Sequence, residues 1–154
     1  MVSPAEWGPK AWDLLHGIAE KIGNQKHEAM IRDEKNELLF TLKYFGSLLP
    51  CKKCQEHYRQ WLLKAPPDKL FQSGFLDDNF RKWVYHLHIS VNQNRGIETI
   101  FTESNLQSTY SNIQLRESAQ HLKQYHNQGL QLGIFKADEW KRAWKHLDLL
   151  LRLL

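Results

Sequence analysis

The helical spacing of its apolar side chains limits most strictly what this chain can fold into. In five segments the apolar residues recur three or four positions apart, and no segment keeps the two-residue alternation of a half-buried strand. Glycine and proline are few, with 8 and 5 in 154 residues, which favours helices over a loop-rich chain. We therefore predict an all-α fold, a compact helical bundle that forms one domain over residues 1–154.

Caps and helix breakers set the bounds of the predicted helices. Residues 3–6, Ser-Pro-Ala-Glu, form a capping box with proline at the first helical position. The five predicted helices, each with an apolar face, cover about residues 4–22, 38–49, 51–65, 77–95 and 138–154. Between the last two, residues 104–127 carry only a thin apolar stripe, and we predict a helix there that Gly129 caps.

The chain has two cysteines, and both lie in the sequence Pro50-Cys51-Lys52-Lys53-Cys54. A disulfide framework needs cysteines spread along the chain, and a structural zinc site usually needs four clustered ligands. Pro50 ends one predicted helix and starts the next, so both thiols fall on its first turn. There the helix dipole and the two lysines favour the thiolate form. We predict that Cys51 and Cys54 are a redox-active pair.

Other readings of the cysteines and histidines are less favoured. A purely structural disulfide between these cysteines would close too short a loop to stabilise the fold much. A zinc site could combine them with His57, His86 and His88, but the interval from Cys54 to His86 is far longer than in zinc fingers. His86 and His88 also point to different faces of one helix, so no metal site is predicted. Each histidine alone could equally be a hydrogen-bonded side chain between helices.

The net charge, the first six residues and the lengths of the apolar segments further limit which classes of function the sequence predicts. The formal net charge of +4 comes from basic residues mixed with acidic ones, which permits nucleic-acid binding but does not indicate it. Residues 1–6 lack the features of a signal peptide, and no segment approaches the ~18 continuous apolar residues of a membrane span. We expect a soluble protein made in the cytoplasm, where a lone CxxC is more often catalytic than structural.

A helical dithiol protein needs an acceptor for its electrons. The chain has neither the strand–helix alternation of a thioredoxin-like fold nor a GxGxxG dinucleotide turn. A cofactor bound among helices is the natural acceptor, and the abundance of tryptophan and histidine suits a flat heteroaromatic ring system.

Three blocks of sequence, in order and at matching spacing, carry a family resemblance. They are residues 7–16 (WGPKAWDLLH), residues 50–58 (PCKKCQEHY) and residues 83–92 (WVYHLHISVN). Together they closely resemble the Erv/ALR-type FAD-linked sulfhydryl oxidases, and the short, cysteine-poor form is similar to versions carried by large DNA viruses, iridovirus-like ones among them. The resemblance implies a four-helix bundle that cradles FAD over a core of about residues 3–96, usually as a homodimer. For a viral protein it implies the host cytoplasm, an assembly site or the virion as the location.

The resemblance also implies roles for individual residues. Cys54 would lie against the flavin, and Cys51 would be the outer sulfur that a substrate thiolate attacks. The cofactor-contacting positions that it implies are Gly8, Lys10, Trp12, His16, Tyr44, Cys54, His57, Trp83, His86, His88, Val91, Asn92, Arg95 and Trp140.

Several positions depart from the family pattern. Leu49 stands where the family commonly has an aromatic residue, and Ile89 replaces a polar residue that contacts FAD. A lysine expected after the fourth helix is absent, which leaves Asn94 or Arg95 as phosphate partners. The late tryptophan segment comes much further along the chain than usual, so residues 97–137 read as an insertion.

We therefore predict a FAD-dependent thiol oxidase that forms protein disulfides and passes electrons from flavin to molecular oxygen, giving hydrogen peroxide. Because the chain has no second, shuttle CxxC, we expect protein dithiols or a small thioredoxin-like protein to reach Cys51 directly. One alternative is a helical virion or adaptor protein that binds no flavin, and another is a redox-regulated nucleic-acid binder. The insertion could cap the FAD pocket, form a dimer interface or dock a partner. Of these we favour the dimer interface, since the stripe of Leu106, Tyr110 and Ile113 suits a shared surface.

Overall fold

The computed structural model describes residues 3–154, whereas Met1 and Val2 lie outside the described residues. Over residues 3–154 the chain is helical and has no β-strand, which confirms the all-α prediction. The α-helices are α1 (Pro4–Ala19), α2 (Glu28–Tyr44), α3 (Lys52–Lys64), α4 (Leu76–Arg95), α5 (Leu106–Tyr110), α6 (Leu115–Gln124), α7 (His126–Gln131) and α8 (Ala137–Leu153). Within this part of the chain, no helix combines the length and apolar character needed to cross a membrane.

The first helix begins where the capping box predicts it. The Ser3 hydroxyl accepts the Ala5 N–H at 3.2 Å, and the Ser3 N–H donates to a Glu6 carboxylate oxygen at 2.9 Å. After α1 the chain turns at Gly23, whose φ of 87° lies in the left-handed region that glycine adopts without strain. A Glu34 carboxylate oxygen of α2 accepts the Gly23 N–H at 2.8 Å and so fixes the α1–α2 turn.

The second helix ends earlier than predicted. α2 stops at Tyr44, and the chain tightens into a 3₁₀ turn over Phe45–Leu48 before Leu49 becomes extended, with φ −89° and ψ 115°. The prediction of helix up to Pro50 was wrong, and at Leu49 this is because a proline disfavours the α conformation in the residue before it. This short irregular stretch delivers the chain to the first cysteine.

A four-helix bundle of α1–α4 carries additional C-terminal helices. α1 packs against α4 and α6, and α2 packs against α8. Glu20 of α1 accepts two hydrogen bonds from the Arg81 guanidinium of α4, at 2.8 and 3.0 Å, in the paired geometry typical of strong ion pairs. One apolar core runs through both parts, because residues of α6 and α8 are buried against those of α1–α4.

The C-terminal third is broken into more helices than the sequence indicated. A 3₁₀ turn (Glu103–Asn105), α5, α6 and α7 replace the single predicted helix. Gly129 is not its cap but lies inside α7, where a Cβ would overlap the ring of Phe135. The left-handed turn that ends α7 is made instead by Gly133, with φ 69°.

The apolar stripe of this region is buried within its own chain. Leu106 is 1% exposed, and α5 packs on α1. Ile113 and Leu115 lie where a Cβ on Gly17 of α1 would meet their side chains, and Tyr110 stacks on His16 at 4.3 Å between ring centres. The stripe therefore does not offer the shared surface for which we favoured a dimer interface.

Candidate active site

The two cysteines lie at the start of α3, as predicted. Cys51 is the N-cap residue, and its Sγ accepts the Cys54 N–H at 3.2 Å. The two sulfurs are joined as a disulfide, with the Cα atoms 5.2 Å apart. Lys52 and Lys53 are exposed beside them. The arrangement places two sulfurs at the positive end of a helix, where a thiolate is stabilised once the disulfide is reduced.

A pocket of about 500 Å³ opens beside this disulfide, between α1, α3 and α4. This volume is within the range of pockets that hold small ligands and cofactors. The predicted site residues that line it are Gly8, Trp12, Cys51, Cys54, His57, Val91 and Arg95. Asn94 also lines it, so both residues that we considered as phosphate partners lie at this pocket. The three sequence blocks thus meet around one cavity.

The pocket wall includes residues that sequence reasoning did not single out. The Trp7 side chain is 4% exposed, and its indole N–H finds no acceptor among residues 3–154. Buried donors without a partner are rare, so this group suits a ligand that accepts a hydrogen bond. Trp7 stands in the first sequence block, but its position on an apolar face made it look like an ordinary core residue. Lys53 adds a second cation to the lining beside Arg95.

Gly8 gives the pocket room next to the backbone of α1. It is buried, yet a Cβ built on it would meet no atom of the described chain within 4 Å. A larger side chain here would therefore occupy the cavity rather than disturb the packing.

A pair of buried histidines lies behind the pocket. His16 Nε2 of α1 is 2.9 Å from His88 Nδ1 of α4, and Trp12, which lines the pocket, stacks on His88 with ring centres 3.8 Å apart. Burial lowers the pKa of His16 to about 3, helped by the nearby His88, and burial lowers that of His88 to about 4. Both rings are neutral at pH 7, so one donates a hydrogen bond to the other.

The inserted segment closes over this histidine pair. Phe101 packs against His88 with ring centres 4.5 Å apart, and Tyr110 stacks on His16 with the planes 15° apart. His16 Nδ1 is buried and finds no partner among the described residues. The histidine pair therefore links Trp12, in the pocket wall, to the inserted segment of residues 97–137.

Four further predicted residues of α3 and α4 have partners within the fold. His57 Nε2 is 3.2 Å from Ser90 Oγ, and burial, with a smaller effect of Lys64, lowers the His57 pKa. The Trp83 indole donates to the Ala65 carbonyl at 2.9 Å. Asn92 donates through its amide to the Thr99 hydroxyl at 3.2 Å, and His86 is exposed beside Tyr85. Of these, only His57 lines the pocket.

Three predicted residues lie away from the pocket. Lys10 is 3.9 Å from Asp13 on the outer side of α1, and burial raises the pKa of that carboxyl although Lys10 acts in the opposite sense. Tyr44 stacks between α2 and α8 on Phe40 and His146. Trp140 donates its indole N–H to His126 at 2.7 Å. Whether an aromatic residue faces a cavity or another helix depends on distant parts of the chain, which sequence spacing does not reveal.

The described residues offer no obvious metal site, since no three His, Cys, Asp or Glu side chains of residues 3–154 come together. The chemistry that this arrangement can perform is thiol–disulfide exchange at Cys51 and Cys54, next to a cavity with aromatic walls and cationic residues.

Comparisons with known proteins identify a family and several relatives. The model of the Erv1/Alr family matches residues 9–111, more than half of the chain. The FAD-linked sulfhydryl oxidase of African swine fever virus is 31% identical over 104 residues, which cover 68% of this chain and 79% of that protein. No solved structure matches the chain.

Two plant proteins named FAD-linked sulfhydryl oxidase ERV1 are also similar. The one from rice is 34% identical over 91 residues, covering 59% of this chain and 42% of its own length. The one from Arabidopsis thaliana is 26% identical over 95 residues, covering 62% of this chain and 45% of its own length. The matched region thus spans less than half the length of these two relatives.

Proposed function

The chain belongs to the Erv1/Alr family, and we propose that it is a FAD-linked sulfhydryl oxidase that forms protein disulfides through Cys51 and Cys54. One observation carries the proposal: the cysteine pair forms part of the wall of a cavity that is itself built from the three family blocks. The names of the viral and plant relatives support the same activity and the same cofactor.

The features of the pocket fit FAD. Trp7, Trp12 and Phe45 give the aromatic and apolar surface on which a ring system would pack, and the free indole N–H of Trp7 would donate to an acceptor of the cofactor. Gly8 leaves room beside the backbone of α1. Lys53 and Arg95 would hold the pyrophosphate by charge.

Thiol–disulfide exchange at the cysteine pair is the step that the chain's own residues perform. A substrate thiolate attacks Sγ of Cys51, the Cys51–Cys54 bond breaks, and Cys54 leaves as a thiolate. A second substrate thiolate then attacks the substrate sulfur of the mixed disulfide and releases Cys51. The substrate dithiol is oxidised to a disulfide and the pair is reduced by two electrons, and the two protons that the substrate thiols lose pass to solvent or to the Cys51 and Cys54 thiolates.

The start of α3 stabilises the leaving sulfurs. The Cys54 N–H already donates to Cys51 Sγ at 3.2 Å, so the same donor supports a thiolate on Cys51 after reduction. Lys52 and Lys53 add positive charge at the same end of the helix. When bound, FAD would supply the acceptor for the two electrons of the reduced pair, and we propose molecular oxygen as the final acceptor and hydrogen peroxide as the product.

Several parts of the proposal follow the family resemblance. We assign Cys51 as the outer sulfur, protein dithiols or a small thioredoxin-like protein as electron donors, and a homodimer as the assembly. The likeness to a viral relative supports the cytoplasm of an infected cell as the place of action.

The proposal is tested by the visible absorption spectrum of the purified protein and by oxygen uptake with dithiothreitol. We expect a yellow protein with one FAD per chain and oxygen consumption that Cys54→Ser abolishes, while Ser73→Ala on the exposed surface leaves it unchanged. A colourless protein that FAD cannot reconstitute would contradict the proposal. The helical interaction protein without flavin would then be the better account.

A further inference from the structure

The C-terminal helices reach the backbone directly in front of Cys51. His126 of α7 is completely buried, and its Nε2 lies 2.8 Å from the carbonyl oxygen of Leu48. Leu48 is the last residue of the 3₁₀ turn, three positions before Cys51. A group from the inserted part of the chain thus holds the segment that positions the first cysteine.

The hydrogen bonds of His126 fix its tautomer. The indole N–H groups of Trp140 and Trp144 both donate to Nδ1, at 2.7 and 3.1 Å. An indole N–H can only donate and a carbonyl oxygen can only accept, so the ring is neutral with its proton on Nε2. Burial, which lowers the His126 pKa to about 4, keeps it neutral at physiological pH. Both ring nitrogens are therefore satisfied, and the bond to Leu48 has a defined direction.

A second contact acts on the next carbonyl. The Gln55 side-chain amide of α3 donates to the Leu49 carbonyl at 2.8 Å and to the Ile134 carbonyl at 3.3 Å. An amide nitrogen has two hydrogens, so it can make both bonds. The Leu49 carbonyl also accepts the Cys51 N–H at 2.8 Å. Two consecutive carbonyls before Cys51 are thus hydrogen bonded. His126, in the segment of residues 126–144, binds the Leu48 carbonyl. The Gln55 amide binds the Leu49 carbonyl and also the Ile134 carbonyl of that segment.

Tight packing supports these hydrogen bonds. The ring of Phe135 lies 4.9 Å from that of His126 and fills the space that a side chain at Gly129 would need. The segment of residues 126–144 therefore packs tightly around His126.

We propose that His126 is a positioning residue for the redox pair, and that its bond to the Leu48 carbonyl holds Cys51 where it can pair with Cys54. Cys51 is extended, with φ −160°, and its sulfur must stay beside the start of α3 for the disulfide to form. Holding the turn raises the effective concentration of one thiol at the other, which stabilises the disulfide relative to the dithiol. The inference rests on the proposed function only in requiring that the pair cycles between these two states.

Two substitutions at His126 test the roles of its two ring nitrogens separately. An asparagine amide reaches about as far as Nδ1, so His126→Asn keeps a group near the indoles but loses the bond to Leu48. A glutamine amide reaches about as far as Nε2, so His126→Gln can still donate to that carbonyl. As a control for lost stability, Leu150→Ala removes a buried side chain near the far end of α8, where the Leu153 carbonyl accepts a hydrogen bond from Gln25.

The measurement is the equilibrium between the Cys51–Cys54 disulfide and glutathione, read by thiol alkylation and mass on the full-length chain without oxygen. We expect His126→Asn to shift it toward the dithiol by about tenfold, equivalent to ~30 mV, while His126→Gln and Leu150→Ala stay near wild type. Gln55→Met, at a partly exposed position, should shift it in the same direction and serves if His126→Asn does not fold.

The proposal is overturned if His126→Asn or Gln55→Met keeps the wild-type equilibrium. It is also overturned if all four variants shift the equilibrium alike, since the effect would then follow lost stability. The readout does not depend on flavin, so a protein without FAD would contradict the proposed oxidase and leave this test intact. A pair that cannot be reduced and reoxidised would contradict both.

Discussion

Two fully buried histidines, His16 among the first four helices and His126 among the last four, are used in different ways. His16, on α1, is 1% exposed and keeps Nδ1 without a partner among the described residues, next to the wall of the pocket. His126, on α7, is 0% exposed, and both of its nitrogens are hydrogen bonded. An incompletely satisfied group marks a region shaped for a ligand, whereas a fully satisfied one marks a region shaped for packing. His16 thus lies with the groups that surround the pocket, whereas His126 supports the turn ahead of Cys51.

The largest effect that tests these different roles is expected from removing one sulfur, that of Cys51. Cys51→Ser should lower dithiol-driven oxygen consumption by at least about 10³-fold, because Cys54 alone cannot form the disulfide that the substrate thiolate attacks. The free energy of unfolding should fall by no more than about 2 kcal/mol, since the disulfide closes a very short loop. Oxygen uptake and urea unfolding measure the two effects. Residual activity near that of wild type would contradict the role of Cys51.

The matching change in the supporting region is Trp144→Ala. Trp144 is buried on α8 and donates to His126, so the substitution should lower the free energy of unfolding by about 3–5 kcal/mol. Trp144→Phe, which keeps most of the ring but loses the N–H, should cost about 1 kcal/mol. Urea unfolding gives both values. Similar losses for the two variants would show that the hydrogen bond, not the packing, dominates.

Acid should destabilise both regions, because both contain histidines whose pKa is lowered on folding. The pKa is about 3 for His16 and about 4 for His88 and His126, below the usual value of ~6.5 in the unfolded chain. Below pH ~6.5 the unfolded state binds protons that the folded state does not bind, so the free energy of unfolding falls as the pH falls toward 4. Each histidine accounts for a loss on the order of 2 kcal/mol at pH 5.

The check is urea unfolding at pH 7 and pH 5 for wild type and for His126→Gln. The variant should lose less stability between the two pH values, because one titrating group has been removed. An identical loss in both proteins would mean that His126 does not contribute to the acid sensitivity.

The smallest effect should come from the pocket. Gly8→Leu would place a side chain where a Cβ meets no atom of the described chain, so it should raise the dissociation constant of FAD by about tenfold or more. Stability should be unchanged or higher by up to about 1 kcal/mol, since leucine favours a helix over glycine. Gly8→Ala is the matched control and should bind FAD more nearly like wild type. Flavin titration followed by fluorescence measures the affinities, and normal binding by Gly8→Leu would contradict the assigned pocket.

Local signals in the sequence account for the parts of the structure that could be predicted. The Ser3 cap, the cysteines at the start of α3 and the end of α4 at Gly96 each depend on a few neighbouring residues. The early end of α2 at Tyr44 had no such signal, because Pro50 restricts only Leu49, five residues after the end of the helix.

The predicted site residues also divide into those with a local sequence signal and those without one. Gly8, Trp12 and Val91 belong to sequence blocks on α1 and α4, Arg95 lies three residues after the α4 block, and all four line the pocket. Trp140 was assigned by its likeness to a late tryptophan segment, but its neighbour is His126. His126 itself had no local signal, because a single histidine in a polar stretch gives no hint of a distant carbonyl. Its only trace is Trp140 and Trp144, two indole donors one helical turn apart.

The measurement that tests the central claim most directly is an anaerobic titration of the flavin-loaded protein with dithiothreitol. If the cysteine pair at the start of α3 delivers electrons to FAD, the visible flavin band should be fully bleached by about two equivalents of dithiol per chain, since the disulfide and the flavin each take two electrons. Cys51→Ser and Cys54→Ser should bind flavin but bleach far more slowly. Bleaching of either variant at the wild-type rate would mean that the electrons bypass the pair, and the account of the site would be wrong.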